Sequence, residues 1–111
     1  MPSTTSSRQL LLALVNPIAG RDQEFRAWYW ETHIPEVLAL PGFISAERFS
    51  VPPEATETAS HRYTTIYEVE GSAAAAMAVL FNAGLGMSPD LDLETMVFVP
   101  LVAEVDGVQA A

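Results

Sequence analysis

Phe25, Tyr29 and His33 are spaced four apart. On a helix that spacing keeps them on one face, drifting only ~40° per step. Trp28 and Thr32 complete the stripe, and Pro35 should kink the helix near residues 32–34 by removing a backbone donor. His33 is therefore expected on the sheet-facing side, among aromatic rings and beside the kink. An imidazole in that setting can titrate near neutrality and serve as general acid or base. The plainer reading is a core histidine bonded to a backbone carbonyl freed by the kink, and spacing alone admits both. Trp30, one residue beyond Tyr29, should point about 100° away, toward solvent or a partner.

Three further groups can join His33 in a substrate site, for which Phe25, Trp28 and Tyr29 would supply the aromatic wall. Arg48 shares a strand face with Ile44 and Ala46. Pointing inward it would hold a carboxylate or an enolate oxygen, and pointing outward it is a solvated charge. Tyr63 and Tyr67 share a strand face, and their hydroxyls can donate to a developing oxyanion or simply tip core rings toward water. Met87, Asp90 and Asp92 lie in a long loop with apolar neighbours, which reads either as a lid over a pocket or as a surface loop.

Other chemistries lack their signatures. His61 follows a polar loop and is expected at the surface. No HxH or HxxxH spacing supports a metal site, so none is expected. The six glycines are dispersed, and Gly84-Leu85-Gly86 follows a helix rather than a strand, which argues against a phosphate-cradling loop. No GxSxG elbow is present for a nucleophilic serine.

The elements that must position these groups can be read along the chain. Residues 1–7 are polar and patternless, and are expected to form a disordered leader. Residues 9–15 read as a strand apolar on both faces. Asp22 is a plausible N-cap for a helix running toward Leu40 and stopping before Pro41-Gly42. Residues 43–51 alternate, with Phe43, Ser45, Glu47, Phe49 and Val51 on one face. His61 to Val69 forms the next strand. Gly71-Ser72 opens a second helix, Ala73 to Ala83, ending at Gly84. After the long loop 85–95, Met96 to Val105 is a strand whose Pro100 suits an edge. The order β-α-β-β-α-β predicts an α+β, ferredoxin-like fold: a four-stranded antiparallel sheet with two helices on one face. A single domain is expected over residues 8–106, with 107–111 as a loose tail.

Composition narrows the partners. The chain has 111 residues, 50% hydrophobic, with no cysteine and a formal charge of −9. That length fits one core. Lack of thiols excludes disulfide scaffolds and thiolate catalysis. Fourteen acidic residues against five arginines argue against nucleic acid and anionic membranes. The longest apolar run, residues 10–15, is too short for a membrane span or a signal-peptide core, so a cytoplasmic location is the default expectation. Residues 10–15 and 96–103 are apolar on both faces, more than helices on one side of a sheet can cover. A homodimer packed sheet against sheet is therefore expected.

The run Asn16-Pro17, Gly20-Arg21-Asp22, Phe25, Trp28-Tyr29, His33-x-Pro35, Val37-Leu38, Pro41-Gly42-Phe43 and Ala46-x-Arg48-Phe49 resembles the EthD-like family of the dimeric α/β-barrel superfamily. Tyr67-Glu-Val-Glu-Gly71 and the Ser88-Pro89…Leu91-Asp92-Leu93 loop continue the match, which spans nearly the whole chain apart from its tails. Trp30 departs from the family pattern, which usually has a polar residue there. The resemblance implies a ferredoxin-like protomer, sheet-to-sheet dimerisation, and a pocket between sheet and helices. It also implies that the family's helix histidine falls on His33 and its strand arginine on Arg48. Relatives with assigned roles include dehydratases, decarboxylases, isomerases, cyclases and cofactor-free oxygenases of small aromatic or polyketide-like molecules. Two functions are thus expected as alternatives. One is a cofactor-independent lyase- or isomerase-type enzyme with His33 as general acid/base. The other is a non-catalytic accessory dimer that binds a hydrophobic metabolite. Haem ligation by His33 is a distant third.

Overall fold

The computed structural model describes residues 8–111; the expected leader, residues 1–7, lies outside the described residues. Strand β1 spans Gln9–Val15, helix α1 Asp22–Trp28, helix α2 Ile34–Leu38, strand β2 Phe43–Ser50, strand β3 Tyr63–Val69, helix α3 Ala73–Asn82 and strand β4 Val97–Val102. The sheet order is β2-β3-β1-β4, with every neighbouring pair antiparallel. With the helical segments on one face, this is the expected α+β, ferredoxin-like arrangement. Strands β2, β3 and β4 are shorter than expected: Val51, residues 61–62, Met96 and residues 103–105 fall outside them. Pro100 sits on edge strand β4, where its missing N–H costs no ladder bond.

One face of the sheet carries the core. Leu11, Ala13 and Val15 of β1 lie beside Tyr63, Thr65, Tyr67 and Val69 of β3, and all are buried. This is the period-two pattern of a sheet with one covered face. Strand β2 departs from simple alternation. A bulge between Phe43 and Ser45 places Phe43 opposite Val69 and Ala46 opposite Tyr67, so Phe43 and Ala46 share the covered side. The expected face of Phe43, Ser45, Glu47 and Phe49 is thus split, because one extra residue reverses which side later residues point to. Arg48, opposite Thr65, falls on the helix side.

The first helical stretch is broken as Pro35 requires, but with a different geometry from a simple kink. Between α1 and α2, residues Tyr29–His33 form a π-helical turn, and the Ile34 N–H reaches back to the Tyr29 carbonyl. Pro35 has no N–H to offer the preceding turn, so the ladder widens there and Pro35 sits in the first turn of α2, where it fits. Asp22 is not the N-cap. Arg21 holds that position without a side-chain bond, and Asp22 is the first helical residue. Its carboxylate instead accepts the Tyr63 hydroxyl proton and lies 3.7 Å from Arg62. Thr32 is exposed rather than part of the buried stripe. Helix α3 opens as expected: the Ser72 hydroxyl accepts the Ala75 N–H at 3.1 Å, and Gly84 follows the helix at φ 68°.

Candidate functional site

Ring packing along the first helical stretch assembles the aromatic wall. Phe25 stacks on Tyr29 at 5.1 Å and on Tyr63 at 5.7 Å, and Trp28 lies 6.4 Å away. His33 stacks on Trp28 at 4.9 Å and leans on Tyr29 at 5.3 Å. The widened turn brings this about: extra residues in one turn rotate His33 relative to an ideal helix while keeping it beside Trp28 and Tyr29.

His33 is 5% exposed, and its Nδ1 has no hydrogen-bond partner among the described residues. The carbonyl bond expected of a core histidine is therefore not made by Nδ1. Burial holds the imidazole pKa down to about 4, below the near-neutral value expected from the sequence. The cause is desolvation, which penalises the charged form, so the ring is neutral at physiological pH. Buried polar groups are nearly always paired, and a solitary one is a mark of function or strain.

The imidazole lines a cavity of about 220 Å³. Its other walls are Leu80, Phe81, Gly84, Leu85, Met87, Leu93, Met96 and Phe98, supplied by the end of α3, the following loop and β4. The cavity thus lies between the first helical stretch and α3. Among the described residues, His33 is the only polar side chain in the lining.

Of the other expected site residues, Met87 lines the cavity, whereas Phe25, Trp28, Tyr29, Arg48, Tyr63, Tyr67, Asp90 and Asp92 do not. The tyrosines are engaged elsewhere. Thr65 Oγ1 donates to the Tyr29 hydroxyl oxygen at 3.0 Å, and Tyr67 is buried in the core beside them. Burial raises the pKa of both phenols. Tyr63 is also raised, first by burial and then by its bond to Asp22. Arg48 packs its guanidinium 4.2 Å over the half-exposed Trp30 ring, which explains how that indole is held at the surface.

The long loop is tied down at the β1–α1 connection. Ile18 N–H donates to the Asp90 carbonyl at 2.7 Å, Asp92 N–H to the Asn16 carbonyl at 2.9 Å, and buried Leu91 bridges Pro17. Arg21 pairs with the Asp90 carboxylate at 2.8 Å, and Asp92 accepts the Glu94 N–H at 3.1 Å. The two acids therefore anchor the loop, while Met87 and Leu93 reach the cavity. His61 is partly buried rather than exposed. Its Nε2 donates to the Thr95 carbonyl at 2.6 Å, leaving Nδ1 to accept from the Ser60 hydroxyl at 2.9 Å. Among the described residues no group of three His, Asp or Glu side chains is placed to hold a metal ion, and no helix is long and apolar enough to cross a membrane.

Sequence reasoning located His33 and Met87 but missed Leu80, Phe81, Leu85, Met96 and Phe98. The available signal was the loop itself, where apolar Leu85, Met87, Leu91 and Leu93 recur in a segment that solvent exposure alone would make polar.

With this geometry in place, comparison with known proteins adds a family and a fold. The sequence profile of a family described as a domain of unknown function, DUF4286, matches residues 19–76, just over half of the chain. The chain belongs to that family. The DUF4286 match includes His33 and Arg48 but stops before most of the cavity wall, so the pocket combines a family segment with the remainder of the chain. No curated protein sequence matches the chain. Among solved structures, the DUF4286 chain is similar to a protein of Shewanella loihica PV-4 provisionally named a monooxygenase. The likeness covers 96% of this chain and 100% of that one, with a TM-score of 0.54 and 17% identity. At that identity the likeness concerns the fold.

Proposed function

We propose that the cavity takes a small, mostly apolar molecule bearing oxygen, and that neutral His33 removes a proton from it as general base. The observation that carries this reading is a buried imidazole that, among the described residues, is the one polar side chain in the wall of an apolar cavity. A cavity of about 150 Å³ lined by aliphatic and aromatic groups suffices for benzene, so 220 Å³ accommodates a substituted ring. An imidazole held near pKa 4 is a weak base in the empty pocket. The anion formed by proton loss would sit beside the imidazolium and restore its basicity, because opposite charges at close range favour the charged form. The resemblance to EthD-like proteins supports acid–base chemistry of the dehydratase, decarboxylase, isomerase or cyclase kind.

A second reading has its own observation. Among the described residues no polar side chain other than His33 lines the cavity to hold an oxyanion while the imidazole acts as base, and the protein then acts as an accessory that sequesters a hydrophobic metabolite. Nitrogen-15 NMR of His33 during titration with substituted phenols and 1,3-dicarbonyl compounds separates the two. The enzyme reading expects the imidazole to gain a proton on binding, and turnover of a productive compound to fall ~10²–10⁴-fold in His33→Gln. Binding that leaves the ring neutral and is unaffected by His33→Gln would leave only sequestration.

The working unit is proposed to be a homodimer. Leu10, Leu12 and Leu14 of β1 lie beside Ile66 of β3 and beside Val97, Val99 and Leu101 of β4, on the side of the sheet away from the helices. An apolar surface of that extent favours a covering partner, and a second copy offers the same face. Leu12, paired with Ile66 and Val99, lies at its centre. Leu12→Glu is expected to convert a dimer into a monomer in light-scattering measurements; a monomeric parent protein would overturn the proposal.

A further inference from the structure

The exposed side chains that line the His33 cavity are apolar, although the chain carries a charge of −9. Phe81 is 60% exposed, Leu93 55% and Met87 38%, yet all three belong to the cavity lining. His33, at 5% exposure, lies at the inner end. The Phe81 ring is braced edge-on against Phe98 at 5.2 Å, so the exposed ring is held in place rather than left to swing into solvent. Met87 and Leu93 flank the Asp90–Arg21 pair and the Leu91 bridge in sequence, which tie their loop to the β1–α1 connection. The mouth is therefore a supported apolar shelf continuous with a cavity whose one polar group is at the bottom.

We infer that the ligand is longer than the cavity: its oxygen-bearing head reaches His33 while an apolar extension, an alkyl chain or a further ring, lies over Phe81, Met87 and Leu93. This rests on the reading that the cavity binds a small oxygenated molecule at His33. The shelf residues then set specificity by length. An apolar extension leaves water on reaching the shelf, and no charged side chain in the lining opposes it. A short ligand leaves the shelf wet. A second copy over the shelf is the competing occupant, and it would make the shelf indifferent to ligand length.

Calorimetric titration with para-alkylphenols from methyl to hexyl tests the inference, because the phenol hydroxyl can donate to a neutral imidazole. Affinity is expected to rise about two- to four-fold per added methylene, as for apolar surface leaving water. In Phe81→Ser and Leu93→Asp, both at exposed positions, the per-methylene increment should vanish, whatever the change in affinity for the methyl compound. Affinity that is flat along the series, with the methyl compound still bound in a His33-dependent manner, would overturn the shelf and leave the pocket reading intact. A Leu93→Asp change that alters the oligomeric state but not the increment would assign the shelf to a second copy instead. If no member binds, the pocket reading fails and the shelf with it; if His33→Gln binds every member as the parent does, the head does not reach His33 and the inference is overturned.

Discussion

Replacing His33 with phenylalanine is expected to stabilise the fold and to abolish ligand-dependent proton uptake. The Nδ1 atom is buried without a partner, and such a group costs about 1–3 kcal/mol of desolvation. A phenyl ring keeps the stack on Trp28 and removes the cost. The larger effect is with pH. The folded pKa of about 4 lies below the ordinary 6.5, so between those values the unfolded chain binds more protons than the native protein. Stability due to this group is complete above pH 6.5 and is lost as pH falls toward 4. At roughly 1.4 kcal/mol per unit the full loss is about 3 kcal/mol. Because His33 is almost fully buried, solvent screening removes little of it. Denaturant unfolding of both proteins between pH 7 and 4 reads the difference, in which the carboxylate contributions cancel. A gap between variant and parent that stays constant across this range would show that His33 is not held neutral by burial.

Phe25→Ala is expected to remove about 3–5 kcal/mol of stability, the range for deleting a buried phenyl ring. Phe25 is 1% exposed and packs against Trp28, Tyr29 and Tyr63 at once. Its loss leaves a void between α1 and the start of β3, which neighbouring rings bonded to Asp22 and Thr65 cannot collapse to fill. Domains of this size have only about 5–15 kcal/mol in total, so the midpoint in guanidinium should fall by roughly a fifth or more. Tyr29 also braces His33, so the variant should disturb the NMR signal of the imidazole. A loss below about 1 kcal/mol would mean that the cluster repacks freely and does not position His33.

Several local features were legible because their causes are local. The four-residue spacing of Phe25, Tyr29 and His33 does place them on one buried stripe, and the alternation from Tyr63 to Val69 does mark a covered face. Ser72 and Gly84 delimit α3 through backbone requirements contained within a few residues. Pro35 announced a break but not its form, since a missing N–H can be accommodated by a kink or by a wider turn, and packing against the sheet selects between them. The β2 bulge was not legible: alternation continues on both sides of it, and only pairing with β3 reveals the extra residue. For the same reason Arg48 was left open between two faces.

The chain's own periodicities thus settle the order of elements, the identity of the first helix's aromatic stripe and the prominence of His33. Periods of 2.0 and 3.6 residues are properties of neighbouring residues and need no folded context. Tertiary structure decides what surrounds the imidazole. His33 meets Leu80, Met87, Leu93 and Phe98 only because α3 and β4 fold back beside the first helical stretch, more than forty positions along the chain. It also assigns Tyr29 and Tyr63 to hydrogen bonds within the body, Tyr67 to the buried core, and Asp90 to anchoring the loop. Burial is a property of the assembled chain, and here it makes an ordinary histidine a neutral side chain with an unpartnered Nδ1 in the wall of an apolar cavity.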